Sequence, residues 1–412
     1  MERPDRGQHG PADQRTVRRH NMGLVIAAIA RGGPRSRARI SSETGLNPST
    51  VSSLTAELIE SGMVVEAGTE QSGAIGRPGR YVDLNPDGGL AIGLEISDDG
   101  IGVLALDLAG RPRYRAFISQ PNEKRDPEIV LGQLAKLARE ALQTLNGSSV
   151  GAVCTMALPG LIGEEGVLLE APNLDWHEVP VESLWRKLMN VEPLALENEA
   201  RLAAYAEMTE GVARDLSSFA FVSGGTGLGS GLVINRRIFR GAHGFAGEFG
   251  HIVIERNGPA SGWGARGTVQ TLAGERALAR LAHVQRSDDG GRSDPDWIGR
   301  QLARLASEGQ CQALSAITEV GHNLGVGLAT LLNLFDMEAI VLGGYLTHLA
   351  TWLRPSIDEE IRDRVLSQKW KPTPILFSDM GRGAALRGAA VRSLDLILYR
   401  AGSGFGSPTS AF

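Results

Sequence analysis

Residues 224–254 contain the side chains and the turn with the clearest capacity for chemistry. One apolar segment, residues 219–222, enters a glycine-rich turn, and a second, residues 232–234, leaves it. Glycine permits positive φ and close approach of a ligand, and the N–H groups of such a hairpin tip can bind an anion. An acid and an imidazole, Glu248 and His251, follow three residues apart. The plainer alternative is a structural hairpin with a surface glutamate and a hydrogen-bonded histidine.

The composition favours a water-soluble, multidomain chain. Its 412 residues are 42% hydrophobic and 22% charged, which is typical of two or three globular domains. No apolar run reaches the roughly 18 residues of a membrane span, and the N-terminus lacks the apolar core of a signal peptide. Two cysteines, Cys154 and Cys311, give no disulfide framework. These features predict a cytoplasmic protein with no membrane partner.

Charge is distributed unevenly along the chain. The formal net charge is −5, yet the first forty residues hold nine arginines against Glu2, Asp5 and Asp13. A basic end on an acidic protein predicts that this end meets a polyanion.

A winged helix-turn-helix is predicted over residues 15–85, after a disordered tail at residues 1–14. Apolar residues repeat at helical spacing from Leu24, Ser36 can cap a second helix, and Ser49 begins a third. Two short segments, residues 63–65 and 81–84, read as wing strands. The alternative is a helical hairpin with solvated arginines, but the helices, turn, wing and charge all favour a double-stranded DNA reader.

The predicted DNA contacts lie on the third helix and on the wing. The N-terminal residues of a recognition helix lie nearest the base edges in the major groove. Arginines on an extended Gly/Pro loop suit the minor groove or the phosphates. The candidates are Arg37, Asn47, Ser49, Thr50, Ser52, Ser53, Arg77 and Arg80.

The remainder, residues 86–400, has an internal repeat of strand-strand-strand-helix-strand. The first set comprises strands at 90–95, 101–106 and 114–118, a helix at 127–145 and a strand at 150–156. The second set has strands around Phe219, Leu232 and Ile252. This order predicts a duplicated α/β fold with a ligand cleft between its halves, and residues 401–412 form a loose tail.

Four motifs together resemble the ROK family of repressors and sugar kinases. GRPGR (76–80) follows the helix-turn-helix, and GGTGLGSGLV (224–233), AGEFGH (246–251) and IVLGG (340–344) lie in the large domain. The resemblance covers roughly residues 15–400 and is to the repressor branch. It implies a two-lobed actin- or hexokinase-like domain after the DNA-binding head. The implied function is a homodimeric or larger repressor of carbohydrate-utilisation genes at a palindromic operator.

The resemblance also implies a sugar pocket. The family's Glu-Asn-Asp motif reads Glu197-Asn198-Glu199 here, and the implied effector-binding residues are Asn198, Glu199, Glu248, His251 and Gln270. Such side chains pair well with hydroxyl groups. The effector is a sugar or a sugar phosphate. Taken alone, Asn198 and Glu199 are also compatible with a simple helix cap.

The family's zinc segment has lost its cysteines in this chain. Ser261, Trp263 and Thr268 stand at the three cysteine positions, and only His251 remains. A structural zinc site needs four ligands. We therefore expect no metal and no other cofactor, with the loop held by packing, for instance of Trp263.

The phosphate motif of the kinase branch is altered as well. Residues 95–100 read Glu-Ile-Ser-Asp-Asp-Gly where the kinases have Asp-x-Gly-Gly-Thr-Lys, and the catalytic aspartate is Glu199. Carboxylates repel a triphosphate, and the extra methylene of glutamate displaces the catalytic carboxylate, which slows the reaction. Loss of phosphoryl transfer, with no catalytic residue, is the expectation. The alternatives are an ATP-dependent sugar kinase with Glu199 as base and a regulator whose large domain is a ligand-free scaffold.

Overall fold

The computed structural model describes residues 14–69, 80–145, 152–189, 194–261, 264–285 and 296–403. Residues 1–13 of the predicted tail, the loop with Arg77 and residue Trp263 lie outside these ranges, whereas Gln14, the last residue of that tail, is the first residue of the first helix. No helix within them is both long and apolar enough to cross a membrane.

The head consists of three helices and a small antiparallel sheet of order β1-β3-β2. As predicted, the Ser36 hydroxyl caps the second helix by accepting from the Arg39 N–H at 3.3 Å. Gly45 ends that helix with a φ of 72°, a left-handed conformation that glycine adopts without strain. The elements are α1 Gln14–Gly32, β1 Arg35–Ser36, α2 Arg37–Thr44, α3 Pro48–Glu60, β2 Val64–Thr69 and β3 Arg80–Leu84.

The start of α3 differs from the prediction, because Asn47 and not Ser49 is the cap. The Asn47 Oδ1 atom accepts from the Thr50 N–H and from the Ser49 hydroxyl, both at 2.8 Å. Pro48 follows at the first helical position, where its missing N–H costs nothing. The two-residue strand β1 was too short to leave a sequence pattern.

Lobe one carries a five-stranded sheet of order β11-β7-β4-β5-β6. Strands β4, β5 and β6 form the predicted antiparallel meander, and β7 and β11 run parallel to β4. A separate small sheet has the order β10-β9-β8. The elements are β4 Leu90–Ser97, β5 Gly100–Leu106, β6 Pro112–Ser119, α4 Pro127–Thr144, β7 Ala152–Leu158, β8 Leu161–Ile162, β9 Leu168–Ala171, β10 Trp176–Val179, α5 Val181–Leu188, β11 Leu194–Asn198 and α6 Glu199–Thr209.

Lobe two repeats this topology with the order β14-β13-β12-β15-β16, which confirms the predicted duplication. The strand expected around Ile252 was wrong: Val253 makes a single bridge to Thr268, and β14 is the edge strand instead. The elements are β12 Phe219–Gly224, β13 Leu228–Ile234, β14 Arg237–Ile238, α7 Val269–Ala273, α8 Glu275–Leu281, α9 Trp297–Ser307, α10 Cys311–Phe335, β15 Ala339–Gly344, α11 Ala350–Arg364, β16 Ile375–Phe377 and α12 Ala384–Ser403.

Helix α12 lies at the centre of the molecule. It packs against α1 of the head, against β4, β5 and β7 of lobe one, and against α6. At its crossing with α6, a Cβ on Gly388 would lie 1.8 Å from the Leu202 carbonyl oxygen, so only glycine allows this approach. The helix continues to Ser403, three residues into the segment predicted to be a loose tail.

The head and lobe one share a single apolar core. Val25 and Ile29 from α1 are fully buried together with Leu106 of β5, and Val391 and Ile397 of α12 complete the cluster. The head is therefore packed onto the body by apolar burial, in addition to the chain connection between β3 and β4.

Candidate functional site: an interlobe cleft and a DNA-reading head

A cleft of about 650 Å³ lies between the two lobes. All five side chains of the predicted sugar pocket line it, although Asn198 and Gln270 are 72 residues apart in the sequence. The lining side chains are Asn198, Glu199, Glu248, His251 and Gln270. The duplicated fold thus brings them together at the place where ligands bind in two-lobed proteins.

Asn198 has a structural role in this cleft. It ends β11 and caps α6, because its Oδ1 atom accepts from the N–H groups of Ala200 at 2.9 Å and Arg201 at 3.3 Å. Its Nδ2 atom donates to the Gly160 carbonyl at 3.2 Å. The helix cap that the sequence left open is therefore present, and it fixes the start of α6 at the cleft wall.

Glu199, the first residue of α6, is half-buried beside three other acids. Its Oε2 atom accepts no hydrogen bond from the described residues. Burial raises the pKa of Glu199 to about 8, and the charges of Glu248, Glu95 and Asp98 add to this effect. The carboxyl group is consequently protonated at neutral pH and can donate a hydrogen bond to a ligand, which an ionised carboxylate cannot.

The opposite wall holds Glu248, His251 and Gln270. Glu248 immediately precedes the short 3₁₀ turn Phe249–His251, and His251 is its last residue. Partial removal from water in the cleft raises the pKa of Glu248, although its side chain still reaches solvent at the mouth. Gln270 lies on α7, where its Oε1 atom accepts from the Leu228 N–H at 3.2 Å. That contact ties α7 to the glycine-rich hairpin.

The glycine-rich hairpin is built for close packing. The sequence suggested that the five glycines from Gly224 to Gly231 permit positive φ, but none of them has a positive φ. A Cβ on Gly231 would lie 2.6 Å from the Ala204 Cβ of α6, so the absent side chain lets β13 press against that helix. At the tip, the Gly225 N–H donates to the Gly227 carbonyl at 2.9 Å. With the Leu228 N–H bound to Gln270, the tip is a poorer anion site than predicted.

The altered phosphate turn, residues 95–100, reaches across the cleft to that hairpin. The Thr226 hydroxyl of the β12–β13 tip donates to the Asp98 carboxylate of the β4–β5 tip. Asp99 forms an ion pair with Arg382, whose guanidinium lies 5.0 Å from the centre of the Phe117 ring. Burial raises the pKa of Glu95 to about 7, an effect opposed by the charges of Arg382 and Arg115.

Arg382 was not found from the sequence. It lies in the short 3₁₀ turn Gly381–Gly383 at the start of α12, 283 residues beyond its partner Asp99 in the acidic turn. The only signal for Arg382 in the sequence is its position directly before the long C-terminal helix.

The two described cysteine positions of the family's zinc segment now serve other purposes. Thr268 is fully buried and caps α7, because its hydroxyl oxygen accepts from the Thr271 N–H at 3.3 Å. The Ser261 N–H donates to the Ala265 carbonyl at 2.6 Å. Hydroxyl side chains in these roles do not fit a structural zinc site, which uses Cys, His or carboxylate ligands. The residues that the structure describes contain no group of three or more metal-ligating side chains.

The exposed face of α3 presents the predicted DNA contacts. Ser49, Ser52 and Ser53 are exposed, and Thr50 is half-buried. Two predicted arginine contacts are tied to one wing acid: Arg80 pairs with Glu66 at 2.6 Å, and Arg37 lies 3.7 Å from the same carboxylate. Asn47, the remaining described candidate, is exposed, but its Oδ1 atom already accepts hydrogen bonds as the cap of α3.

A helix-turn-helix head packed onto a two-lobed, sugar-kinase-like body defines a class of DNA-binding regulators. Models of the ROK family and of the IclR helix-turn-helix domain match residues 91–395 and 24–68, respectively. The chain belongs to the ROK family. It is 31% identical to the xylose repressor of Bacillus subtilis over 94% of this chain and 98% of that protein.

Other similarities separate the regulators from the kinases of this family. The crystal structure of a ROK family transcriptional regulator, a homologue of the E. coli MLC protein, superposes with a TM-score of 0.77 at 26% identity, covering 94% of this chain and 98% of that one. A Streptomyces coelicolor glucokinase is 28% identical over 96% of its own length, but it matches only 73% of this chain. The full-length matches are thus to regulators, including one named as a repressor.

Proposed function

We propose that this chain is a sugar-responsive transcriptional repressor of carbohydrate-utilisation genes. The observation that carries the proposal is the shared core in which α12 contacts both the DNA-reading head and the lobe that forms the cleft. A ligand that moves α12 by a small amount would move the head with it. D-Xylose is the first candidate effector, because a relative of nearly equal length is named a xylose repressor.

The sugar would be held by the five cleft residues described above. Polar groups on both walls of the cleft recognise hydroxyls, and unpaired polar groups penalise the wrong sugar. Asn198 and Glu199 begin α6, and α6 crosses α12 at Gly388. A sugar that draws the lobes together would therefore shift α6 against α12 and favour one orientation of the head.

The head would bind double-stranded DNA with α3 in the major groove and the wing arginines, Arg77 among them, at the backbone or minor groove. Two copies of the chain would form a homodimer on a palindromic operator, because the symmetry of such an operator mirrors that of the protein. The protein would act in the cytoplasm, where the operator is accessible.

We propose that the cleft does not catalyse phosphoryl transfer and that the domain needs no zinc. A general base for the sugar hydroxyl must be ionised, and burial raises the pKa of Glu199 to about 8, which disfavours its ionised form at neutral pH. Asp98 and Asp99 lie where the kinases of the family meet nucleotide phosphates, and both already have partners from other parts of the chain. Sugar-dependent ADP release that Glu199→Gln abolishes would contradict this proposal.

Selection of genomic DNA tests the regulatory function. Purified full-length protein is mixed with sheared host DNA at moderate salt, and bound fragments are sequenced with and without pooled sugars. We expect enriched inverted repeats near sugar-utilisation genes, with specific fragments lost when the effector is present. Enrichment that no sugar changes would favour a ligand-free scaffold, and no enrichment would contradict the assignment as a specific DNA reader.

A further inference from the structure

The cleft has far more acidic than basic side chains. Among its described lining residues, seven carry a carboxyl group, and the basic side chains are Arg115, Arg382 and His251. An anionic ligand would therefore enter a region of negative potential unless these three basic groups were free to meet it.

Both arginines already face acids within the cleft. Arg382 is paired with Asp99 and lies over the Phe117 ring, and the charges of Arg382 and Arg115 act on the buried Glu95. Three carboxyl groups, those of Glu95, Asp98 and Asp99, thus share two guanidinium groups. No excess of positive charge remains at this end of the cleft.

Several donors at the same end are already engaged within the protein. The Gly225 N–H and the Leu228 N–H both have acceptors within the protein, and the Thr226 hydroxyl donates to Asp98. These are among the groups that a glycine-rich tip could otherwise direct at a phosphate. Glu248 also lines the cleft, and the charge of His251 acts on it, so this basic group too lies beside an acid.

We propose that the effector is an uncharged, unphosphorylated sugar, and that Asp98, bound to Thr226 across the cleft, excludes the phosphorylated form. The inference rests on the proposed function, since it specifies the class of sugar that the same cleft accepts. Repulsion between a phosphate and one nearby carboxylate at a solvated site weakens binding by about 10-fold or more.

Calorimetry with matched ligand pairs tests the inference on the full-length protein. The probes are D-xylose with D-xylose 5-phosphate and D-glucose with glucose 6-phosphate, at neutral pH and low ionic strength. We expect at least one free sugar to bind and its phosphate to bind at least about 10-fold more weakly. A sugar phosphate that binds as tightly as its free sugar would overturn the inference and leave the proposed function standing. Binding of neither form in any pair would count against the proposed effector and, with it, the inference.

Asp98→Asn tests the proposed role of that carboxylate. The amide keeps an acceptor for the Thr226 hydroxyl and removes the charge. The ratio of the Kd for the sugar phosphate to the Kd for the free sugar should fall by about 3- to 10-fold. Asp363→Asn, an equal change at an exposed position of α11, should leave this ratio unchanged. Equal ratios in Asp98→Asn and the wild type, with unfolding curves showing both proteins folded, would overturn the role of Asp98.

Discussion

The carboxyl group of Glu199 holds a proton because it is removed from water in the cleft and lies beside other acids. Its pKa is about 8 in the folded protein, compared with about 4.3 for a glutamate in an unfolded chain. Between these two values the folded state binds a proton that the unfolded state has lost. The free energy of unfolding therefore decreases as pH rises through this interval, and the contribution is fully present only below the unfolded-state pKa.

Replacing Glu199 with glutamine should remove this pH dependence. We expect the Tm of Glu199→Gln to decline less than that of the wild type between about pH 5 and pH 8, because the amide cannot lose a proton. Glu95, whose pKa is about 7, also makes stability decrease as pH rises, but it is present in both the wild type and Glu199→Gln. Thermal unfolding across the pH series is the measurement, with exposed Glu359→Gln on α11 as control. Parallel Tm curves for Glu199→Gln and the wild type would contradict the assignment.

A second acid, Glu66, limits the charge that the head can offer to DNA. It pairs with Arg80 and approaches Arg37, so two cations of the reading face are partly neutralised before DNA arrives. Glu66→Gln should tighten DNA binding by about 3- to 10-fold at low salt and increase the salt dependence by up to about 0.9 per additional phosphate contact. Binding titrations at several salt concentrations measure both quantities.

The control for Glu66 is the same chemical change outside the head, again Glu359→Gln, which should leave DNA affinity unaltered. An unchanged affinity and salt slope in Glu66→Gln would mean that Arg37 and Arg80 do not approach phosphates. These two arginines would then be solvated surface charges, as the helical-hairpin alternative supposed.

Among the secondary-structure elements, α12 connects the cleft to the head. Val391 lies in the core that α12 shares with α1, so Val391→Ala should loosen this connection and cost about 1–3 kcal/mol of stability. We expect the ratio of DNA Kd values with and without effector to fall by a factor of about 3 or more, because the coupling free energy passes through this core. DNA titrations with and without sugar measure the ratio.

Val320→Ala in α10 gives a matched control. This valine is fully buried in the separate core of lobe two, so the mutation makes a similar cavity away from α1 and α12. Stability should fall comparably while the coupling ratio is retained. A similar loss of coupling in both variants would indicate that general loosening, and not α12, transmits the signal.

Local patterns in the sequence predicted most of these elements. The meander of lobe one and the helix-turn-helix of the head depend on apolar periodicity and turn residues, which operate over a few neighbouring positions. The prediction of a strand at Ile252 was wrong because it used only this local pattern. The short apolar run there forms a single bridge, and Arg237–Ile238 completes the edge of the sheet. Short edge strands carry too few residues for a pattern.

The five pocket residues were implied by the resemblance to the ROK family, and the fold brings them into one cleft. The contacts of Asp98 with Thr226 and of Asp99 with Arg382 were beyond reach, because they join positions more than 120 residues apart. Only the arrangement of the two lobes and the start of α12 decides these pairs. The sequence predicts that the acidic turn disfavours a phosphate, but it could not identify the partners of Asp98 and Asp99, which requires three-dimensional information.

For the whole molecule, the buried junction between head and body determines how rigidly DNA is read. Val25 and Ile29 of the head are fully buried with residues of lobe one and α12, so the head cannot turn freely on a linker. In a dimer with such heads, the distance and the rotation between the two reading helices are fixed together. The operator half-sites must then face the same side of the duplex, about 10.5 bp or a multiple apart.

Operator spacing distinguishes this rigid arrangement from heads on flexible tethers. Inserting about 5 bp between the half-sites rotates one of them to the opposite face of the duplex, and we expect this to weaken binding by about 100-fold, because the second head loses its contacts. Inserting a full turn, about 10 bp, returns both half-sites to the same face of the duplex but leaves them farther apart, so affinity should recover only in part. A single half-site gives the reference for one-headed binding. Tethered heads would tolerate the half-turn insertion, and such tolerance would show that the apolar junction opens when the protein binds DNA.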